Sequence, residues 1–540
     1  MKHLDRPERH VPALHTPSRR RRGQSVLALV AVGLSAGVFA LAQTAAPATG
    51  WSMGGRDLHN TRHQPNETAL TPATVGRLIP AWTFTTAGDV SATPAVEGNA
   101  VYLPDWGGNL YRINALTGKA EWTRTISSYS NQPHLVARTT PAIAGDLLIL
   151  GDQPDTLAGK HAGTHLLALE KASGALRWKL DIPDGPAIIT GSPVVYGDRI
   201  YVGLSSNEES LSTDPSYPCC SFRGRMLAVS LATGKVVWQT STVPRGYSGG
   251  TIWGSTPVID AARGSVYIAT GNNYTVPKAV AACINAGRQG CESADNHIDS
   301  VLALDLNTGK LKWARRFEGP DAWVSACYSN GAGIGACPTP QGPDFDFGSG
   351  PNLFTVGSGS AKRDLLGAGQ KSGVYWALNP DDGQVVWSTR VGPGGVTGGI
   401  LWGSATDGQR VYVANANSNH QTWSLPGGAT TSGGTWSALD AASGKILWQT
   451  PDPEGGLTPG AVTSAGGVVY GGSLDPQGHM YALDAASGKV LWRFASGGSV
   501  NAGAAVAAGR VYWGSGYTRL NQPNATSATG SKRFYAFKLP

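Results

Sequence analysis

A nine-residue phrase occurs seven times along this chain, and no other feature restricts the fold as tightly. It reads NALTGKAEW at 114–122, EKASGALRW at 170–178, SLATGKVVW at 230–238 and DLNTGKLKW at 305–313. It returns as NPDDGQVVW at 379–387, DAASGKILW at 440–448 and DAASGKVLW at 484–492. Every copy follows a strand-like run and sets a Gly four residues before a Trp. A polar pair plus Gly is hairpin chemistry, because Gly supplies the positive φ that a tight turn needs. Upstream of most copies stands a second phrase, a Pro-Val-like strand, a Gly turn and a Val-Tyr strand, as in TPAVEGNAVYL (93–103) and SPVVYGDRIYV (192–202). Two inner and two outer strands make a four-stranded blade, and blades repeated at a fixed period predict a β-propeller.

Counting blades sets the architecture. Seven tryptophans close the seven phrases, and an eighth, Trp82 in IPAWTF, has no phrase before it. The chain ends on RFYAFKLP, a strand with no phrase after it. Strands from 501–540 are therefore expected to share a blade with the strand around Trp82, closing an all-β ring of eight blades and leaving no bare edge. The repeated tryptophans read as apolar wedges between blades rather than as site residues.

Composition suits one large repeat domain over 51–540. Gly supplies 73 of 540 residues and charged residues only 15%. The formal net charge of +7 is concentrated in residues 1–22, where seven Lys or Arg face two acids. The ring itself is nearly neutral and offers no nucleic-acid surface. The basic stretch leads into the apolar run SVLALVAVGLSAGVFALA (25–42) and a small-residue segment. Residues 1–46 thus read as an export signal, with an uncleaved membrane anchor as the alternative. A secreted or periplasmic protein is expected, and its six cysteines fall into three local pairs, Cys219–Cys220, Cys283–Cys291 and Cys327–Cys337. No CxxCH, HExxH, P-loop, G-x-S-x-G or strand-to-helix GxGxxG occurs, which removes covalent haem, zinc-protease, phosphoryl-transfer, α/β-hydrolase and NAD chemistry. Trp-to-Trp spacing widens from 40 residues (82 to 122) to 75 and 74 through 238, 313 and 387, so blades three to five carry insertions and are where a binding face is expected.

The turn phrase with its Trp resembles the repeat of the pyrroloquinoline quinone (PQQ) dehydrogenases. The stretches WSMGGRDLHNTRHQP, SATPAVEGNAVYLPDWGGNLY and SYPCCSFRGRMLA are similar to the polyvinyl-alcohol dehydrogenase branch. The resemblance spans about residues 51–540 and implies an enzyme that oxidises secondary alcohols, polymeric ones included, with PQQ and Ca²⁺. No fused cytochrome c is read, so an external carrier such as a cytochrome c is expected to take the electrons. Ca²⁺ wants oxygen ligands. The resemblance assigns these to Glu208 in SSNEES, with Glu209 as fallback, to Asn272 in TGNNY, and to Asp346 in DFDFGSGP, the last also being the catalytic base. It assigns Trp253 to the floor under the quinone, Lys371 to the quinone oxygens, and Thr190 and Ser205 to the cofactor's carboxylates. Cys219–Cys220 resembles the family's vicinal disulfide that stacks over the quinone, although here the pair follows the Glu instead of preceding it. Asn417, Asn419, Asp105, Trp106 and Arg138 are further candidates for the channel mouth. Alternation in DFDF puts Asp344 on the same side as Asp346 if the segment is extended.

Two other functions fit the repeat: a non-catalytic propeller that binds proteins as an assembly scaffold, and an enzyme for a small alcohol or a sugar. A scaffold has no need for Glu208, Asn272, Asp346 and Lys371 together, so their geometry separates the readings.

Overall fold

The computed structural model describes residues 49–155, 163–329, 336–519 and 528–540. The leader at 1–46 lies outside them. Eight four-stranded antiparallel sheets follow one another around an axis. Blade one runs from strand Ala95–Glu97 to strand Ala120–Thr125, blade two from Ala142–Ala144 to Leu176–Ile182, and blade three from Val194–Tyr196 to Val236–Ser241. Blade four runs from Val258–Asp260 to Leu311–Arg316, blade five from Asn352–Val356 to Val385–Arg390, and blade six from Ala405–Thr406 to Ile446–Pro451. Blade seven runs from Thr463–Ala465 to Val490–Ala495. Blade eight combines Ala505–Ala507, Arg510–Gly514 and Arg533–Lys538 with Ile79–Thr85, so the strand carrying Trp82 pairs with the C-terminal strand and closes the ring as expected.

The repeated phrase is the lock between neighbours. In all seven copies its Gly is left-handed, with φ from 69° at Gly174 to 74° at Gly444. That Gly lies against the Trp of the preceding blade: a Cβ on Gly444 would come within 2.4 Å of the Trp387 ring, and one on Gly309 within 2.4 Å of Trp238. The same indoles donate to the next blade, as in Trp178 Nε1 to Leu231 O at 2.9 Å and Trp448 Nε1 to Ala485 O at 3.0 Å. The last lock spans the closure, Trp492 Nε1 donating to Leu78 O at 3.1 Å. One residue type thus fills the apolar wedge and satisfies a turn carbonyl.

Residues 51–67 form a lead-in segment that precedes the first blade and braces the ring. Its residues contact all eight blades in order. Trp51 pairs with Val96 of blade one, Ser52 accepts from Ile143 of blade two, and Gly54 packs on Ser192 at the entry to blade three. Leu58, His59 and Thr61 carbonyls accept from Ile259, Leu353 and Thr406 of blades four, five and six. His63 pairs with Ser464 of blade seven, and Gln64 Nε2 donates to Val506 O of blade eight at 3.1 Å. Arg62 is carried to the axis, where it donates to the carbonyls of Gly54 and Val462 and to Thr93 Oγ1. Burial without a carboxylate partner pulls its guanidinium down to about 10.

Candidate active site

Insertions in blades three to five converge on one carboxylate. Asp346 sits in the irregular segment before the first strand of blade five. Its Oδ1 accepts the Asn272 N–H at 2.7 Å, and its Oδ2 accepts the Trp253 indole N–H at 2.7 Å and the Lys371 ammonium at 3.3 Å. Lys371 donates to both oxygens of Asp344 at 2.9 and 3.0 Å and stands 5.3 Å from the Trp253 ring centre. Asp344 and Asp346 do face the same side, but not through a regular strand: Asp344 has φ +60°. That bend is pinned by Asp321, whose carboxylate accepts the N–H groups of Asp344 at 3.1 Å and Phe345 at 2.8 Å. Gly348 makes room for the Trp253 indole, since a Cβ there would lie 2.7 Å from it.

The electrostatics follow from one buried cation among several acids. Burial pushes Asp344 well above the carboxylate range, with Lys371 opposing and Asp346 adding to the shift. Burial pulls Lys371 down, but Asp344, Asp346 and Glu209 outweigh it and hold the ammonium well above its ordinary value. Glu209 is pushed up to about 7 by burial, with Lys371 opposing, and Asp321 to about 6, also by burial.

The two candidate glutamates have different surroundings. Glu208 is buried, and its carboxylate is filled by donors: the N–H groups of Ser221 and Phe222, the Tyr217 hydroxyl at 2.8 Å and the Ser221 hydroxyl at 3.2 Å. It fastens the loop that carries Cys219–Cys220. Glu209, the fallback, is the one that interacts with Lys371 and Asp346. The three disulfides form in the expected pairs. Cys219 and Cys220 pack with Tyr274, Trp323 and the Cys327–Cys337 bridge. Thr190 Oγ1 donates to the Trp253 carbonyl at 2.6 Å, and Ser205 is buried in the strand paired with Ile188.

Of the mouth candidates, Arg138 stacks over Trp402 at 4.0 Å and Trp106 at 5.6 Å, and Trp402 meets Trp253 edge-on at 5.1 Å. Trp402 and Asp321 were not singled out by the sequence. Trp402 lies outside the turn phrases, as Trp253 does, and that was the available signal. Asp105 instead caps its own blade through the N–H groups of Ala87, Gly88 and Asn109, and Asn417 ties the blade-six loop to the carbonyls of Gln421 and Gly433. Asn419 lies beside Gly395. A cavity of about 50 Å³ on the axis, lined by Arg62, Thr93, Thr140, Ser192 and Trp402, ends at the lead-in segment.

These residues fit a flat anionic cofactor and a hard cation. Trp253 offers a ring face, and Lys371 and Arg138 offer positive charge. Glu209, Asp344, Asp346 and Asp321 outnumber the one buried ammonium, an imbalance that bound cation or proton must offset. Asn272 commits Nδ2 to the Trp323 carbonyl at 2.9 Å, which leaves its Oδ1 as the acceptor. Among the described residues no three His, Cys, Asp or Glu side chains form a ready-made cage; the expected ligand set draws on an amide as well as carboxylates.

The eight-bladed ring sets a lysine-bridged aspartate pair beside Trp253, in a chain whose relatives are quinoprotein alcohol dehydrogenases. The PQQ-repeat family model described as outer membrane protein assembly factor BamB matches residues 73–214, 160–320, 370–470 and 432–531. A polyvinylalcohol dehydrogenase of Pseudomonas sp. is 31% identical over 89% of this chain and 75% of its own length. Another, from Sphingopyxis sp. (strain 113P3), is 31% identical over 79% of this chain and 64% of its own. The quinohemoprotein alcohol dehydrogenase of Comamonas testosteroni has the same fold, with a TM-score of 0.68 at 20% identity, covering 91% of this chain and 81% of that one. The chain belongs to the polyvinyl alcohol dehydrogenase family of quinoprotein alcohol dehydrogenases.

Proposed function

We propose that this protein binds PQQ and Ca²⁺ above Trp253 and oxidises secondary alcohols, those of polyvinyl alcohol included, to ketones. When bound, PQQ supplies a hydride acceptor and Ca²⁺ a Lewis acid. Asn272, Asp346 and one of Glu208 and Glu209 would hold the cation, with Glu209 favoured because the Glu208 oxygens already carry protein donors. Thr190, Ser205, Lys371 and Arg138 would meet the cofactor's oxygens, and Cys219–Cys220 would cover it. Asp346 takes the hydroxyl proton; fixed donors on both of its oxygens hold the carboxylate in place for that step. Lys371, kept protonated by Asp344, presents positive charge to oxygens that gain electron density. Asp321 holds the backbone of the Asp344–Asp346 segment. Electrons leave to an external acceptor such as a cytochrome c.

Export through residues 1–46 to the periplasm or beyond agrees with three disulfides and with the finding that, among the described residues, no helix is long and apolar enough to cross a membrane. The single observation that carries this reading is the Asp346 carboxylate, shared by Trp253, Asn272 and Lys371. Purified protein given PQQ and Ca²⁺ should reduce a dye with a panel of alcohols, secondary ones best. Absence of turnover with every alcohol, together with an unchanged melting temperature on adding both, overturns the reading in favour of a scaffold.

A further inference from the structure

Arg62 reaches the propeller axis as a buried cation with no anion opposite it. Each of its three nitrogens makes one hydrogen bond: Nε to Val462 O at 2.8 Å, Nη1 to Gly54 O at 2.7 Å and Nη2 to Thr93 Oγ1 at 3.1 Å. A guanidinium has five N–H groups, so Nη1 and Nη2 each keep one to give. Neutral acceptors satisfy hydrogens but do not cancel a charge. The Trp51 ring, 5.8 Å away, is a weak counterweight. No carboxylate among the described residues pairs with Arg62, and a guanidinium pulled down to about 10 by burial is still protonated at neutral pH. Two glycines are shaped around it: a Cβ on Gly503 would lie 2.1 Å from Nη2, and one on Gly403 would lie 2.9 Å from Cδ. The ring thus makes room for this guanidinium in particular.

The axial cavity of about 50 Å³ lies against it. Its walls also include Thr93, Ser192, Asn501, Trp402 and a second arginine, Arg138, and among the described residues no Asp or Glu lines it. The polar atoms there are mostly donors. The Trp402 Nε1–H is buried without a partner among the described residues. The Thr93 hydroxyl accepts from Arg62, and the Ser192 hydroxyl accepts the Thr140 N–H at 3.0 Å, so each keeps its own hydrogen to give. Asn501 Oδ1 is the exception, a buried acceptor without a partner among the described residues. Water satisfies such atoms singly but leaves the positive charge uncancelled.

We propose that the axial cavity binds one small monovalent anion, of the size and charge of chloride, held by the free N–H groups of Arg62, the Trp402 indole and the hydroxyls of Thr93 and Ser192. A halide accepts from several directions at once, which suits donors that arrive from the lead-in and from the entries to blades one, three and six. The space takes a halide and a few waters and is far too small for a tricyclic tricarboxylate. The anion neutralises Arg62 and so fastens the lead-in to the ring it braces. This site does not depend on the dehydrogenase reading.

The test uses the full chain in sodium gluconate, whose anion is too large for the cavity, with sodium chloride or bromide exchanged in at constant ionic strength. The melting temperature should rise and saturate, by about 2–3 °C at ~100 times the apparent Kd. Crystals grown with bromide should show an anomalous peak within hydrogen-bond reach of Arg62. Asn501→Asp brings its own carboxylate to the cavity; it should lose both the halide response and the peak, and melt in gluconate at least as high as the wild type. Arg62→Met should lose both as well, at a lower melting temperature; if it does not fold, Asn501→Asp alone decides. A rise that never saturates and is shared by the variants is a general salt effect and overturns the site, as does a cavity that holds water only. Release of bromide one for one as PQQ binds also overturns it, because the seat then belongs to a cofactor carboxylate. A wild type that takes up bromide but binds no PQQ keeps the anion site and removes the cofactor reading.

Discussion

The indole of Trp253 donates to Oδ2 of Asp346 at 2.7 Å, across 93 residues of sequence. The ring proposed to lie beneath the cofactor and the carboxylate proposed to act as base are thus held as one unit, and Lys371 touches both. Replacing Trp253 by Phe keeps a flat face and removes the N–H. The variant should still bind PQQ, while kcat falls by about ten-fold or more as Asp346 loses a fixed donor. Cofactor titration beside steady-state rates separates the two effects; loss of PQQ binding with normal kcat in the residual holoenzyme would sink the coupling.

Asp346→Asn should lower turnover by about 10²–10⁴-fold, the usual worth of a general base. Both oxygens of Asp346 face donors, so the amide NH₂ must meet an N–H or the Lys371 ammonium, and the fold should lose about 1–3 kcal/mol as well. Asp344→Asn removes charge from the partner of Lys371 and should cost far less turnover. Reversal of that order would move the base by two residues.

The adjacent glutamates should separate stability from metal. Glu208→Gln cannot accept four donors and should destabilise the cation-free protein by about 2–4 kcal/mol, read by denaturant melts. Glu209→Gln should leave that melt nearly unchanged and weaken Ca²⁺ binding measured by calorimetry. If Glu208→Gln alone abolishes Ca²⁺ binding without a stability loss, Glu208 is the ligand.

Buried acids set an unusual pH dependence for the cation-free protein. Burial raises Glu209 to about 7 and Asp321 and Asp452 to about 6. An acid with a raised folded value contributes stability that is complete below its unfolded value near 4 and is lost as pH rises through the folded one. His63 and His297, lowered by burial, act the other way with smaller weight. The melting temperature without cation should therefore be higher at about pH 5 than at about pH 8, and saturating Ca²⁺ should flatten or reverse the difference. A cation-free protein that melts higher at about pH 8 contradicts this.

Ring closure should fail at the locks. Gly444→Ala places a Cβ against Trp387 at a φ of +74° and should cost about 1–3 kcal/mol. Trp51→Ala empties a fully buried site in the segment that visits all eight blades and should cost about 3–5 kcal/mol. Thermal melts of the two variants check the ranking.

Much of this molecule is local and was therefore legible. A turn Gly needs a positive φ, a wedge needs a Trp, and a strand pair alternates; each is written within nine residues, so eight blades and the closing partnership of Trp82 with the C-terminus follow from counting. Cys283–Cys291 and Cys327–Cys337 are legible for the same reason, because short loops bring their ends together at little entropic cost. Asp346, Lys371, Trp253 and Asn272 could be named from their surroundings in sequence, but their convergence could not be derived there, since they come from blades four and five and from the separate connections leading into each. Which glutamate is occupied by Ser221 and Phe222 and which faces Lys371 depends on how the loop after blade three's inner hairpin folds back. The lead-in circling the axis and the bracing of the Asp344–Asp346 segment by Asp321 are contacts between residues remote in sequence. They carry no period and no motif, because burial and charge balance act on distances in space, and only the closed ring sets those distances.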